Sequence, residues 1–443
     1  MAPLKALLPL ALASIAAARQ CANFMIQTPI TSRQGQFKEV PIEGNLDVGA
    51  FVASFNQFGK NYSAELLEGY QTVQGTYNIS AQYCKPASGS GNTIQLLSHG
   101  VGFDKTYWDL EYDNYNYSYV DVALAAGYST LAIDRLGIGN SSHGDPFNEI
   151  QAQAEVEALN SVTTQLREGK IPEISCAYEK VIHVGHSFGS VQSYWLSALY
   201  PENTDGVILT GFSVAGQFLA YITAGWNLHS ARLNQPLRFG NASNNVIESI
   251  ASEYDLSDNI VGSLQKILAA AGVDLTTDEV WNELATTEVL DLINGYNKTV
   301  TQYDYPSGYM AHSDLTALQY AFLQPGNYDV GLALVAEKTK QPVTTGELLT
   351  IGGSPSSSPF TGPVLVITGE TDVPFCGGNC YGQLMGSSAS NIPEAVAMAY
   401  PNASAFESYI QPNTGHGLNF HYNATAGYQV MQDFLASNGL AAQ

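Results

Sequence analysis

The chain is expected to be an α/β protein: a mostly parallel sheet covered by helices on both faces, carrying a large helical insertion. Three observations lead to that class. Short apolar runs rich in Val, Ile and Leu recur at Thr93–Ser98, Ser129–Ile133, Val181–Val184 and Gly206–Thr210, each the length of a buried strand. Helix-like stretches separate them: Val120 to Ala126, Glu149 to Gly169 (read as an exposed helix) and Val191 to Tyr200. The rhythm then stops from about Gly211 to Gly352 and resumes with the apolar strand in Gly362–Asp372 and a final strand over Ala405–Gln411.

The N-terminus comes before that pattern. Met1 to Lys5 carries one positive side chain, Ala6 to Ile15 is a largely apolar run, and Ala16-Ala17-Ala18 offers an A-x-A cleavage site. Residues 1–18 read as a signal peptide, too short to span a bilayer, with the exported chain starting near Arg19. No later stretch reaches the length of a membrane span, so a secreted protein without stable membrane association is expected. The net charge of −23 reflects scarce Lys and Arg (17) more than abundant acids (40), and excludes nucleic acid and anionic membranes as expected partners.

Sequons at Asn61, Asn78, Asn116, Asn241, Asn297, Asn402 and Asn423 suit a glycosylated secreted protein. An eighth, at Asn140, is set aside because its loop should approach the active site. Of the five cysteines, Cys376 and Cys380 are spaced for a small local disulfide loop, and Cys21 with Cys84 could tie down the N-terminal segment. Cys176 is left over as a buried thiol. No neighbouring His/Cys pair completes four ligands around the close pair, so no metal is expected.

Residues 19–210 form the first part of the core. Polar–apolar alternation between about 23 and 90, clearest over Thr72–Tyr83, reads as antiparallel strands at one sheet edge. The Val246–Gly295 stretch reads as several short helices, and Tyr303–Gly308 as an aromatic turn. Residues 211–352 are too long for a loop and too irregular for sheet strands, so they are expected to form a helical cap over the active site. Residues 353–443 return to the core.

The chemistry centres on Gly185-His186-Ser187-Phe188-Gly189, which fits G-x-S-x-G between an apolar strand and a helix. Such a turn is sharp enough to strain the serine's backbone, and glycines flank it where strand and helix close on each other. Upstream, the strand at 93–98 runs into His99-Gly100-Val101-Gly102-Phe103. Acyl transfer through a tetrahedral intermediate needs backbone N–H groups already aimed at the oxyanion. Phe188 should supply one and Val101 the other, with Gly102 the alternative. Phe103 and Trp108, beside Tyr107, and Tyr309 are the candidates for the substrate pocket.

A serine hydroxyl is a weak nucleophile, so an imidazole must take its proton and a carboxylate must hold the imidazole. Gly362–Asp372 is an apolar strand ending in a turn with two acids, Glu370 and Asp372, of which Asp372 is preferred. Pro412-Asn-Thr-Gly-His416-Gly417 follows the last strand, making His416 the expected base ahead of His421, which lies near the last helix. Ser187, Asp372 and His416 stand at strand ends in nucleophile–acid–base order. Asp134-Arg135-Leu-Gly-Ile-Gly139 has no G-K-[ST], so it is no phosphate loop, and Asp134 and Arg135 should be structural.

With His99–Gly102, Asp134–Gly139, Gly185–Gly189, Gly369–Asp372 and Gly415-His416 in hand, the chain resembles secreted, fungal-type members of the α/β-hydrolase-fold superfamily. The resemblance covers everything after residue 18 except the cap. It implies an eight-stranded sheet, a Ser-His-Asp triad and no cofactor. Epoxide hydrolases and haloalkane dehalogenases of this fold carry an aspartate at the elbow, whereas Ser187 favours hydrolysis of a carboxylic ester or lactone through an acyl-enzyme. Acyltransferases, lyases and peptidases use the same triad and are the alternative activities, and a non-catalytic binding protein is disfavoured by the intact triad.

Overall fold

In the computed structural model, residues 19–89, 91–174, 176–240 and 303–442 are described. The leader expected at 1–18, the helical stretch expected at 246–295, and the sequons at Asn241 and Asn297 lie outside them. The core is one sheet of eight strands in the order β1-β2-β4-β3-β5-β6-β10-β11. Its inner strands are short and apolar: β3 (Thr93–Ser98), β4 (Ser129–Ile133), β5 (Lys180–His186), β6 (Gly206–Thr210) and β10 (Val364–Gly369). They are buried along almost their whole length, as parallel strands covered on both faces must be. Strand β11 (Phe406–Gln411) closes one edge in parallel.

The other edge is antiparallel, as the alternation predicts. Strands β1 (Gln20–Phe37) and β2 (Leu67–Lys85) form a long hairpin that pairs with β4 through β2. Cys21 faces Cys84 in its register and the two are bonded. The excursion between the strands holds α1 (Asn45–Phe55) and α2 (Tyr62–Leu66).

Helices α3 (Tyr119–Ala125), α4 (Ala152–Glu168) and α5 (Phe188–Leu199) follow β3, β4 and β5. Helix α4 differs from the exposed helix expected, because nine of its residues, from Ala152 to Leu166, form a buried face against β1 and α5. It ends at Gly169 with φ 62, the left-handed cap that glycine adopts most easily.

Between β6 and β10 the described residues form α6 (Leu219–Gly225), β7 (His229–Ser230), α7 (Ala231–Asn234), α8 (Pro236–Phe239), β8 (Tyr309–Ala311), α9 (Leu315–Phe322), α10 (Val330–Lys338), β9 (Val343–Thr344) and α11 (Thr345–Thr350). Strands β7, β8 and β9 make a small antiparallel sheet that was not expected there. Two or three residues are too few to show a period in sequence. The chain then forms β10, α12 (Val373–Cys376), β11 and α13 (Ala424–Ser437).

The remaining cysteines and sequons fall as follows. Cys376 and Cys380 are bonded in the turn after β10. Cys176 is half-buried rather than buried. Asn61, Asn78, Asn116 and Asn402 are exposed. Asn140, set aside on the sequence, is exposed too. Asn423 is half-buried, and its Nδ2, the atom a glycan would need, donates to the Pro412 carbonyl at 2.7 Å. That bond argues against a glycan at Asn423.

Candidate active site

The site begins at the elbow between β5 and α5. Ser187 has φ 54 and ψ −116, a strained conformation for a side chain with a Cβ, and it persists because the surroundings leave no alternative. A Cβ on Gly189 would stand 2.2 Å from the Ser98 carbonyl oxygen, and one on Gly185 would stand 2.4 Å from that of Gly189. Strand, turn and helix are therefore pressed backbone to backbone. The Ser187 amide donates to the Thr210 carbonyl at 2.9 Å, which holds the turn to β6.

The loop after β3 is pressed onto the same turn, since a Cβ on Gly100 would stand 2.8 Å from Ser187 Cβ. His99 braces this loop from below. Its Nε2 accepts from the Arg135 amide at 3.0 Å and its Nδ1–H donates to the Gly100 carbonyl at 2.8 Å. Burial, with Arg135 nearby, pushes the His99 pKa well below the ordinary value, so the ring is neutral. On the outer side the Gln341 amide donates to the Gly102 carbonyl at 3.0 Å. The Gln341 side chain donates to Asp104 and accepts from the Tyr305 hydroxyl, both at 3.1 Å. Gly102 has φ 86, and its carbonyl is engaged by this bond.

Asp372 and His416 meet across the tops of β10 and β11. His416 Nδ1–H donates to Asp372 Oδ2 at 2.7 Å, and both side chains are fully buried. Asp372 also accepts from the Thr368 hydroxyl at 2.7 Å and the Phe375 amide at 2.8 Å. Glu370, the other acid of that turn, accepts from Gln324 Nε2 instead. His421 does not reach the cavity: its Nε2 accepts from the Gly415 and Gln324 amides at 3.0 and 2.9 Å. Its Nδ1–H donates to the Gly417 carbonyl at 2.9 Å. It is the support of the His416 loop, and burial lowers its pKa to about 4.

Ser187, His416, Val101 and Phe188 all line one cavity of about 450 Å³. His416 Nε2 is buried with no hydrogen-bond partner among the described residues, so the imidazole that Asp372 holds keeps one nitrogen available as a base. A hydroxyl, an available imidazole and two backbone amides on one cavity can perform nucleophilic acyl transfer. Gly102 is not among the lining residues, which favours Val101 as the second donor.

The three aromatic candidates for the substrate pocket are corrected by the structure. Phe103 packs among Tyr107, Phe322 and Phe420, and Trp108 is fully buried against Tyr107 and Tyr119. Tyr309 stacks on Tyr305, and its hydroxyl donates to the Gly144 carbonyl. All three fill space below or beside the site. The cavity's aromatic wall is made by Tyr194, Phe212, Trp226 and Phe375. Phe212 follows β6 and Phe375 follows Asp372, so their position just past a strand end was a readable signal. Nothing local marks Trp226.

The model of the Alpha/beta hydrolase family matches residues 95–426. No curated protein sequence matches the chain. Among solved structures, it is similar to a thermophilic esterase from Thermogutta terrifontis at 14% identity and TM-score 0.39, covering 82% of this chain and 94% of that one. It is also similar to Epoxide Hydrolase A from Mycobacterium thermoresistibile, at 14% identity and TM-score 0.41, covering 83% and 97%. A third is the putative non-heme bromoperoxidase BpoC of Mycobacterium tuberculosis H37Rv, at 17% and 0.41, covering 82% and 95%.

Proposed function

The chain belongs to the Alpha/beta hydrolase family, and from that premise we propose that it is a serine hydrolase cleaving a carboxylic ester or lactone through an acyl-enzyme. The observation that carries this reading is Ser187, strained at the elbow, on the same cavity as a histidine whose far nitrogen is held by a buried aspartate. In this mechanism His416 Nε2 removes the Ser187 proton as Oγ attacks the carbonyl carbon. Asp372 keeps the Nδ1–H tautomer and stabilises the imidazolium. The oxyanion is met by the amides of Val101 and Phe188. His416 then returns the proton to the leaving alkoxide, and water repeats the sequence to release the acid.

The cavity wall points to the substrate's character. Among the described residues its lining is mostly aliphatic and aromatic with no Asp, Glu, Lys or Arg, so a small or medium uncharged acyl or alcohol group fits it.

We further propose that the chain is exported, glycosylated and close to the secreted, fungal-type members of the family. Support comes from the apolar leader with its A-x-A site, the exposed sequons and two disulfide-bonded pairs. The test of the activity is a panel of p-nitrophenyl esters and aliphatic lactones with wild type beside Ser187→Ala. Turnover by wild type and its loss in the variant, with an unchanged melting profile, is the expected result. Equal rates in the two proteins would remove Ser187 from the chemistry.

A further inference from the structure

We propose that a depression adjoining the Ser187 cavity is a second substrate subsite, and that it takes the hydroxyl-bearing far end of an otherwise apolar ester or lactone. The proposal rests on the serine-hydrolase reading and narrows its substrate class.

The depression has a volume of about 640 Å³. It shares Gly216, Leu219, Leu348, Ile351 and Gly352 with the Ser187 cavity, so the two adjoin across these residues. The inner compartment is apolar around Ser187 and His416. The outer one has an apolar part too, including Phe55, Tyr62 and Leu67, but adds the amides of Asn56, Gln57, Asn61, Gln153 and Gln217 and the ammonium of Lys60. Among the described residues no acid lines it, in a chain with net charge −23.

The outer wall is built rather than incidental. One side of it, Phe55 to Ala64, comes from the excursion between β1 and β2, which is fastened to the insertion that walls the inner compartment. Thr223 Oγ1 on α6 donates to Asn56 Oδ1 at 2.7 Å, and the Ser230 amide donates to Asn45 Oδ1 at 3.0 Å. The same helix α6 presents Ile222 to the inner cavity.

Side-chain amides both donate and accept, which matches a hydroxyl. An alkyl terminus would displace their water and return no hydrogen bond. A carboxylate would find only Lys60 as a charged partner. A substrate spanning both compartments therefore has its scissile carbonyl at Ser187, an apolar middle against Leu219 and Leu348, and hydroxyl groups at the far end.

The experiment uses two matched ester series on the glycosylated protein and, beside it, on the same protein after N-glycan removal, because a glycan on Asn61 would stand at this rim. One pairs p-nitrophenyl esters from butanoate to hexadecanoate with their ω-hydroxy counterparts. The other pairs alkyl acetates with the monoacetates of the corresponding α,ω-diols. The expected kcat/KM ratio, hydroxylated over plain, is roughly tenfold below one in short chains, where the hydroxyl is stranded in the apolar compartment. It should rise to several-fold above one beyond a threshold length in at least one series. Gln57→Ala should return that long-chain ratio toward one.

A ratio below one at every length in both series, with plain esters turned over, overturns the subsite and leaves the hydrolase reading intact. A preference for ω-carboxy esters abolished by Lys60→Ala overturns the hydroxyl assignment in favour of an anion. No turnover of any ester by wild type removes the hydrolase reading and this proposal with it.

Discussion

The two halves of the site are held in different ways. On the β3–β5 side, the elbow and the loop after β3 are locked by backbone contact. Gly100, Gly185 and Gly189 have no room for a Cβ, and the atoms they would strike are mainly backbone of neighbouring strands and turns. The β10–β11 side has one such contact in the core, a Cβ on Gly369 standing 2.1 Å from the Gly415 carbonyl oxygen, but the rest of the His416 loop is registered by side chains and by the insertion. His421 takes the Gly415 amide together with Gln324, which lies just past α9, and the Gly417 amide donates to the Phe322 carbonyl at 2.8 Å. Phe322 also lies on the His416 ring, 5.4 Å between centroids. The first half is part of the core's own packing. The second depends on where the insertion sits, so the proposed base can be tuned without disturbing the proposed nucleophile.

The contrast breaks most severely at Gly189. Gly189→Ala drives a methyl to 2.2 Å from the Ser98 carbonyl, which must separate β3 from the elbow. We expect a loss of about 3 kcal/mol or more, read as a lower urea midpoint, with activity lost alongside. His421→Ala tests the other half. It leaves two buried amides without their acceptor, costing about 2–4 kcal/mol. Here kcat should fall at least tenfold, and phosphonylation of Ser187 should slow with it, because the probe too needs His416 in place as base. An unchanged kcat would erase the distinction between the halves.

Acid should find the second half first. His421 has a folded pKa of about 4, below the unfolded value near 6.5, because burial disfavours its charged form. Between those values the unfolded chain binds the proton that the folded one refuses. Stability from this group is therefore full above pH 6.5 and lost as pH falls toward 4, by up to about 3 kcal/mol. Unfolding midpoints measured across that range should fall less steeply in His421→Asn, whose side chain does not titrate.

The smallest expected effect is at Gln341→Ala, which removes the side-chain bonds to Asp104 and Tyr305 but keeps the backbone bond to Gly102. A loss of about 1–2 kcal/mol and a kcat lowered by only a few-fold, with KM unchanged, would show that the loop after β3 is held chiefly from the core side.

The same division explains what could be read from sequence. Backbone-locked features leave local signatures, since Gly-x-Ser-x-Gly after a buried strand and His-Gly after another are demanded by close approach. Asp372 and His416 were readable because each follows an apolar strand in the expected order. The insertion was not readable in the same way. Strands β7–β9 are too short to show periodicity, and the pocket side of Trp226 or Leu348 is set by contacts distant in sequence. Phe103 and Trp108 misled because proximity to the His99–Gly102 turn says nothing about whether a ring faces the cavity or the core.

The most direct measurement is labelling with a fluorophosphonate, followed by peptide mapping, with Ser187→Ala beside wild type. The account requires one adduct per chain, on Ser187, absent from the variant and slowed in His416→Ala. An adduct on another residue, or equal labelling of wild type and Ser187→Ala, would contradict it.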